Sequence, residues 1–391
     1  MPPANPIRSP AEKRLSLVAI LSACTAFALG IGLTLPLLSL ILEREGYDGS
    51  VNGLNLATAG LAAFFITPQV PRLIRRFGTA PYLASSLMLS AGALLALYAA
   101  PSLWLWFPMR FLLSVGLNGL FVASEFWINQ LADESNRGRY IALYGIAISG
   151  GFGIGPAILY VMGTKGIAPF AIGSAMLLLA IVPIVLARKA APRLDEEKGA
   201  GVIGALRAAP TILLAALVFG ALDAGLFGLF PVYAVRSGYT EAHAALAVTA
   251  TSLGSMVFQY PLGMLADRFD RQKLLMICAG AGMIGAGLTP FLIASAPAMY
   301  LLLFLWGGLI MGIYTIGLTL VGQRFRGTGL ASANAAYVML YSVGLLTGPP
   351  VEGAALDAWN PHGLMAALGL ISLIYVIFLI LRSRAPGPVL P

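Results

Sequence analysis

The chain has 391 residues, 59% hydrophobic and only 10% charged, with a mean hydropathy of +0.86 and a formal net charge of +8. A soluble domain carries about 25% charged residues, so a large soluble globule is excluded. The basic excess does not point to nucleic acid either: about 20 of the 24 Lys and Arg fall at the two ends of the chain or in every second connection between apolar runs.

Twelve apolar runs follow one another, at about 15–42, 51–71, 80–100, 103–131, 139–162, 167–187, 210–235, 241–266, 273–294, 297–321, 328–356 and 361–382. A helix rises 1.5 Å per residue, so about 20 residues cross a hydrocarbon core about 30 Å thick. Each run is read as a membrane-spanning helix, since a chain in lipid must satisfy its own backbone hydrogen bonds. The runs lack the alternating polarity of a β-barrel. Arg8, Lys13, Arg14, Arg72, Arg75, Arg76, Arg137, Arg139, Arg188, Lys189, Arg268, Arg271, Lys273, Arg324, Arg326, Arg382 and Arg384 crowd one side, whereas the odd connections hold Arg44, Lys165 and Arg236. The asymmetry places both termini in the cytoplasm. No small-residue cleavage site follows the first run, which reads as an uncleaved helix. Cys24 and Cys278 sit in apolar runs and are expected as free thiols. His243 and His362 fall near different outer loops, so no metal site is expected, and no cofactor.

Taken in order, span 1 gathers Gly30, Gly32 and Pro36, and a polar turn follows span 2 at 71–78. Span 4 contains Arg110 and Glu125. Span 5 carries Gly151-x-x-x-Gly155-Pro156. The longest polar break runs from 188 to 209, with Arg193 and Lys198 flanking Asp195-Glu196-Glu197. Span 7 holds Gly220, Asp223, Gly225, Gly228 and Pro231, and Gly263 to Asp270 repeats the polar turn in sharper form. Span 11 carries Gly344-x-x-x-Gly348-Pro349. The paired features lie about 193 positions apart, so the chain reads as a duplication: an N-terminal six-helix bundle at 1–187, a cytoplasmic linker at 188–209 and a C-terminal six-helix bundle at 210–391. Such doubling builds a transporter with one site between its halves.

A charge at the bilayer centre costs roughly 2.5–3.5 kcal/mol on insertion scales, so such residues normally face a cavity or a partner. Arg110, Glu125 and Asp223 are the three within spans and away from their ends. Glu125 is read as a proton-coupling or substrate group, or as an inner-gate partner of Arg75 or Arg76. Asp223, mid-way along span 7, is read as a proton or substrate site, or as a hydrogen-bonded packing residue. Arg110 tunes a cavity acid or binds an anion, or bonds backbone carbonyls. Glu352 is placed at the outer mouth of span 11. Asn55, Gln69, Asn118, Trp127, Asn129, Tyr144, Tyr233, Gln259, Asn334, Tyr337 and Tyr341 are candidate cavity-lining residues, and Asn334, Tyr337 and Tyr341 share one helix face.

These features together resemble the major facilitator superfamily. Gly263-Met264-Leu265-Ala266-Asp267-Arg268-Phe269-Asp270-Arg271-Gln272-Lys273 is similar to its cytoplasmic motif, departing at Asp270, where Gly is usual. The first copy has Pro71 for the Gly and Arg75 for the Asp. The span-5 element resembles the Gly-Pro motif of the superfamily's antiporters, and Arg110 with Gly116 its span-4 motif, with Ser114 in place of Gly. Glu125-Phe126-Trp127 and Asn136-Arg137-Gly138-Arg139 resemble the bacterial YcaD-type subgroup. The resemblance implies two pseudo-symmetric bundles that expose a central site to one side at a time. It also implies a cytoplasmic gate of Arg75, Arg76, Gly263, Asp267, Arg268 and Arg271, helix packing through Gly151, Gly155, Pro156, Gly344, Gly348 and Pro349, and a monomer.

The chain therefore reads as a secondary active transporter, a proton-coupled antiporter exporting a small organic solute, with protons and the lipid bilayer as its other partners and no nucleic acid. Import by symport or facilitated diffusion remains open, as does a non-transporting solute sensor. No P-loop is present, and no nucleophile–base grouping suggests an enzyme.

Overall fold

The computed structural model describes residues 9–132, 137–192, 209–325 and 327–384, all as helix or short connection. The helices follow the twelve apolar runs. The long ones are Pro10–Arg44, Gly49–Ile66, Thr79–Ala99, Leu103–Leu131, Arg137–Met162, Ala168–Leu179 continued by Ile181–Leu186, Pro210–Arg236, Glu241–Arg268, Arg271–Leu292, Ala296–Arg324, Gly327–Ala358 and Gly363–Arg384. They are called spans 1 to 12 below. Among the described residues, ten of them are both long and apolar enough to cross a membrane.

Local chemistry sets the ends. Ser9 and Glu12 form a capping box at the start of span 1: the Glu12 amide donates to Ser9 Oγ (3.2 Å) and the Ser9 amide to Glu12 Oε2 (2.9 Å). Thr240 caps span 8 by accepting from the His243 amide. Gly46 and Gly238, with φ of 80° and 98°, turn the chain after spans 1 and 7, a backbone region glycine enters without a Cβ penalty.

Three elements differ from the sequence reading. Span 2 ends at Ile66, and the polar turn is instead a short helix, Val70–Phe77, with Val70 and Ile74 buried and Arg72, Arg75 and Arg76 exposed. Pro68 lies in the interruption and has no amide to donate. The second copy of that turn lies mostly in the last turns of span 8, whose helix runs to Arg268. Span 7 is not uniform: Pro210–Ala224 and Phe230–Arg236 are α-helical, and the five residues Gly225–Leu229 between them are wound as π-helix. Single π turns inside helices are rare and gather at functional sites.

The chain divides into two compact units, Met1–Thr34 with Leu61–Glu197, and Leu35–Gly60 with Lys198–Pro391. The C-terminal part of span 1 and most of span 2 thus pack with the second-half spans.

Inside the first unit, span 5 lies on span 1. A Cβ on Gly151 would sit 2.7 Å from both Ala28 Cβ and the Thr25 carbonyl oxygen, and one on Gly155 would collide with the Leu33 amide. Inside the second unit the repeat does the same. Gly344 is pressed on the Leu217 carbonyl, and a Cβ on Gly348 would sit 2.7 Å from Ala221 Cα. Lipid tails are as apolar as leucine, so helices associate by close packing, and glycine permits it. Gly49, Gly53 and Gly60 of span 2 meet the backbone of span 11 at Gly353, Pro349 and Leu345 in the same way.

Gly151→Ala and Gly344→Ala should each destabilise the purified protein by about 1–3 kcal/mol, because their neighbours are backbone atoms and the Ala28 Cβ, which cannot swing aside. Gly287 has nothing within 4 Å, so Gly287→Ala should be neutral or slightly stabilising. Thermal unfolding in detergent checks the contrast.

Candidate functional site

In the second unit, Asp223 sits at the middle of span 7, two residues before the π-helical segment, and is half-buried. The Tyr341 hydroxyl donates to Asp223 Oδ2 at 2.8 Å. Tyr341 stacks on Phe219, with ring centroids 5.8 Å apart and planes 23° from parallel. Tyr314 of span 10 touches Phe219, Tyr337 and Tyr341 at centroid distances of 5.3, 5.2 and 5.8 Å. Phe219 lies one turn before Asp223, and Tyr337 one turn before Tyr341, so helical spacing puts each pair on one face. Tyr337 is fully buried and donates to the Tyr314 carbonyl at 2.8 Å. The outcome is one carboxylate held by a phenol at the edge of four aromatic rings.

Asn334 lies near this group along span 11 and is exposed. Gln259 in span 8 is half-buried. Tyr233 is fully buried, with its hydroxyl 3.3 Å from His362 Nδ1, away from Asp223 along span 7.

Span 4 holds the candidates of the first unit. Arg110 is 2% exposed and lies within the packed core. Glu125 is exposed, on the same helix face as Asn118 and Asn129. Both amides turn back to their own helix, Asn118 to the Ser114 carbonyl and Asn129 to the Glu125 carbonyl, each at 2.8 Å. Trp127 is fully buried, so it belongs to the core and not to an open face. The fifteen residues between Arg110 and Glu125 span about 22 Å of helix, so the two do not pair.

The sequence reading missed a cluster of ion pairs. Arg236, ending span 7, donates through Nε and Nη2 to both oxygens of Glu43 at 2.8 and 2.9 Å, and through Nη1 to Asp357 at 3.3 Å. Arg44 donates to Glu241 at 3.0 Å. Asp357 also accepts from the Gly49 and Ser50 amides and from the Ser50 hydroxyl, all at 2.7 Å, and so caps span 2 from another helix. The duplication was the available signal. Arg44 and Arg236 are about 193 positions apart, and each reaches an acid beside the other.

Glu352 is the second residue the sequence misplaced. It is not at an open mouth: it is 0% exposed, and among the described residues neither carboxylate oxygen has a hydrogen-bond partner.

The sequence profile of the Major Facilitator Superfamily matches residues 18–245 and 237–391. The chain belongs to the Major Facilitator Superfamily. It is 23% identical over 367 residues to the "Uncharacterized MFS-type transporter YfkF" of Bacillus subtilis, covering 91% of this chain and 93% of that one. It is 24% identical over 315 residues to the "Uncharacterized MFS-type transporter YcaD" of Escherichia fergusonii, covering 80% and 81%. Its fold matches the crystal structure of the nucleoside transporter NupG with a TM-score of 0.78 at 13% identity, covering 95% of this chain and all of that one. It also matches a bacterial homologue of the human lysosomal transporter Spinster with a TM-score of 0.70 at 14% identity, covering 96% of each. The chain is a multi-pass membrane protein and a secondary transporter, not an enzyme.

The superfamily's cytoplasmic motif acquires a local explanation where this chain departs from it. Asp270 is the N-cap of span 9, accepting from the Lys273 amide at 3.0 Å, and Arg271 Nε donates to the Ala266 carbonyl at 2.7 Å. Gly263 is half-buried, and Arg268, Arg75 and Arg76 are exposed, with the Arg76 guanidinium 5.3 Å from the Phe77 ring centre. The side chains of Asp267 and Arg137, together with Asn136 and the linker acids at 195–197, lie outside the described residues.

Glu43→Ala and Arg236→Ala should be coupled. Both side chains are mostly buried, Glu43 at 17% and Arg236 at 14% exposure, and the contact is bidentate. A double-mutant cycle on thermal stability should return about 1–2 kcal/mol, against a few tenths for an exposed pair.

Proposed function

We propose that this superfamily member is a proton-coupled antiporter that exports a small organic solute across the bacterial inner membrane. It works as a monomer with both termini in the cytoplasm. The observation that carries this reading is Asp223, set mid-span beside a helix irregularity, bonded to Tyr341 and rimmed by Phe219, Tyr314 and Tyr337.

The chemistry favours a cationic solute. Aromatic faces attract cations by about 0.5–2 kcal/mol each, more as water is excluded. Asp223 supplies the counter-charge, and a proton and a cation compete for the same oxygens. Such competition is the simplest exchange rule: the acid releases one as it takes the other. Arg110 is sealed in the packing of the first unit, so it offers no anion site on an open face. The half-buried state of Asp223 and Tyr341 also fits a group that opens onto a solute path.

The remaining features support direction and topology. The span-5 Gly-Pro element resembles that of antiporters, and the Lys and Arg distribution supports cytoplasmic termini. Glu125, exposed on span 4, is a second proton carrier on the cytoplasmic side.

In proteoliposomes with an imposed pH gradient, Asp223→Asn should abolish efflux of a tetraphenylphosphonium or ethidium probe. Glu125→Gln should lower it, and Tyr341→Phe should weaken probe binding about tenfold, equivalent to about 1.4 kcal/mol. Undiminished flux in Asp223→Asn would remove this acid from the transport cycle.

A further inference from the structure

Glu352 has no role in the site around Asp223, yet it is the most isolated acid among the described residues. Its carboxyl lies against bare backbone. A Cβ on Gly225, the first residue of the π-helical segment, would sit 2.7 Å from Glu352 Oε2, and one on Gly348 would sit 3.1 Å from Oε1. Leu368 of span 12 closes the same pocket, 2.7 Å from the Gly225 Cβ position. Two glycines make the room the carboxyl fills, and nothing donates to it.

The ionisable groups on the surrounding elements are already engaged. In span 7, Asp223 is bonded to Tyr341, Tyr233 to His362, and Arg236 to Glu43 and Asp357. At the start of span 8, Glu241 meets Arg44, and His243 meets Thr240. In span 11, Asp357 is held by Ser50, and in span 12 Tyr375 donates to the Thr211 carbonyl. Arg268 and Arg382 lie at the far ends of spans 8 and 12, and span 2 has no ionisable residue. None of these groups neutralises Glu352.

Five residues along the same helix, Asp357 holds the ion cluster with Arg236 and Ser50. We propose that Glu352 is a proton-binding site that licenses closure of this cluster. Closure brings span 11 against Gly225 and seals the carboxyl among glycine backbone and Leu368. An ionised, unpartnered carboxylate cannot be sealed there without a large desolvation cost; a protonated one can. The cluster therefore closes once Glu352 has taken a proton, and its opening lets water reach the carboxyl and the proton leave. This places proton occupancy and the state of one gate on a single helix. The source of the proton rests on the antiporter reading; the binding site does not.

The test needs no solute. In a Cys24→Ser, Cys278→Ser background, nitroxides at Tyr47 and Trp359, both exposed beside the cluster, report its state by pulsed electron spin resonance. The wild type should lose on the order of tenfold of its short-distance population between about pH 5 and about pH 9. Glu352→Gln, a neutral stand-in, should stay short at both. A Glu352→Gln protein that opens with pH like the wild type overturns the proposal. So does restoration of the short distance at about pH 9 by sodium chloride but not choline chloride, which would make the bound cation sodium. If the variant fails to fold, infrared spectra of the wild type with carbon-13-labelled glutamate decide: a neutral glutamic acid carbonyl band at low pH supports the site, and its absence overturns it. Solute counterflow in liposomes is read separately. No exchange beside an intact pH response would fail the antiporter reading and leave the proton site standing.

Discussion

An ionised side chain in hydrocarbon costs several kcal/mol unless it finds a partner, a proton or water, and the polar chemistry of this protein is arranged around that cost. Its mid-span charges meet it in different ways. Arg110 is enclosed in the core of the first unit. Asp223 takes a phenol hydroxyl and stays half-open among aromatic rings. Glu352 is enclosed with no donor among the described residues. The first arrangement is suited to structure, the second to a ligand that comes and goes, and the third to a group that is neutral whenever it is closed in.

Glycine makes these arrangements possible. Small residues let span 5 lie on span 1 and span 11 on span 7, so the two halves repeat one packing solution. The same device on span 2 brings Gly49, Gly53 and Gly60 against span 11, which delivers the span-2 N-terminus to Asp357. Tight backbone contact, the cap and the Arg236 ion pairs are thus one connected structure. The π-helical turn adds a local irregularity between Asp223 and Arg236, of a kind that gathers at functional sites. A phenol-bonded acid, a π-helical turn and an ion-paired arginine follow one another along a single helix.

Much of this was legible in the chain. Hydropathy located the spans, the offset of about 193 located the repeated packing motif, and Asp223 and Tyr341 stood out as polar groups within apolar runs. Their bond was not legible, since 118 positions separate them and only the packing of spans 7 and 11 joins them. Glu352 was placed at the mouth because it lies toward the end of span 11, and nothing local shows that Gly225, Gly348 and Leu368 enclose its carboxyl. The Glu43–Arg236 pair escaped because loop charges are ordinarily solvated, and nothing local shows that these two meet. Trp127 looked like a polar-tipped lining residue, yet its neighbours bury it completely. The polar turn after span 2 proved helical because Val70 and Ile74, one turn apart, gain burial by coiling.

The central claim is that carboxylates retained within these spans exist to exchange protons for a cationic solute. The most direct measurement is the proton count on binding: tetraphenylphosphonium is titrated into weakly buffered, detergent-solubilised protein with a pH-indicating dye present. Release of protons on binding in the wild type, and no release with weakened binding in Asp223→Asn, is the expected result. Tight binding with no proton release in either protein would contradict it.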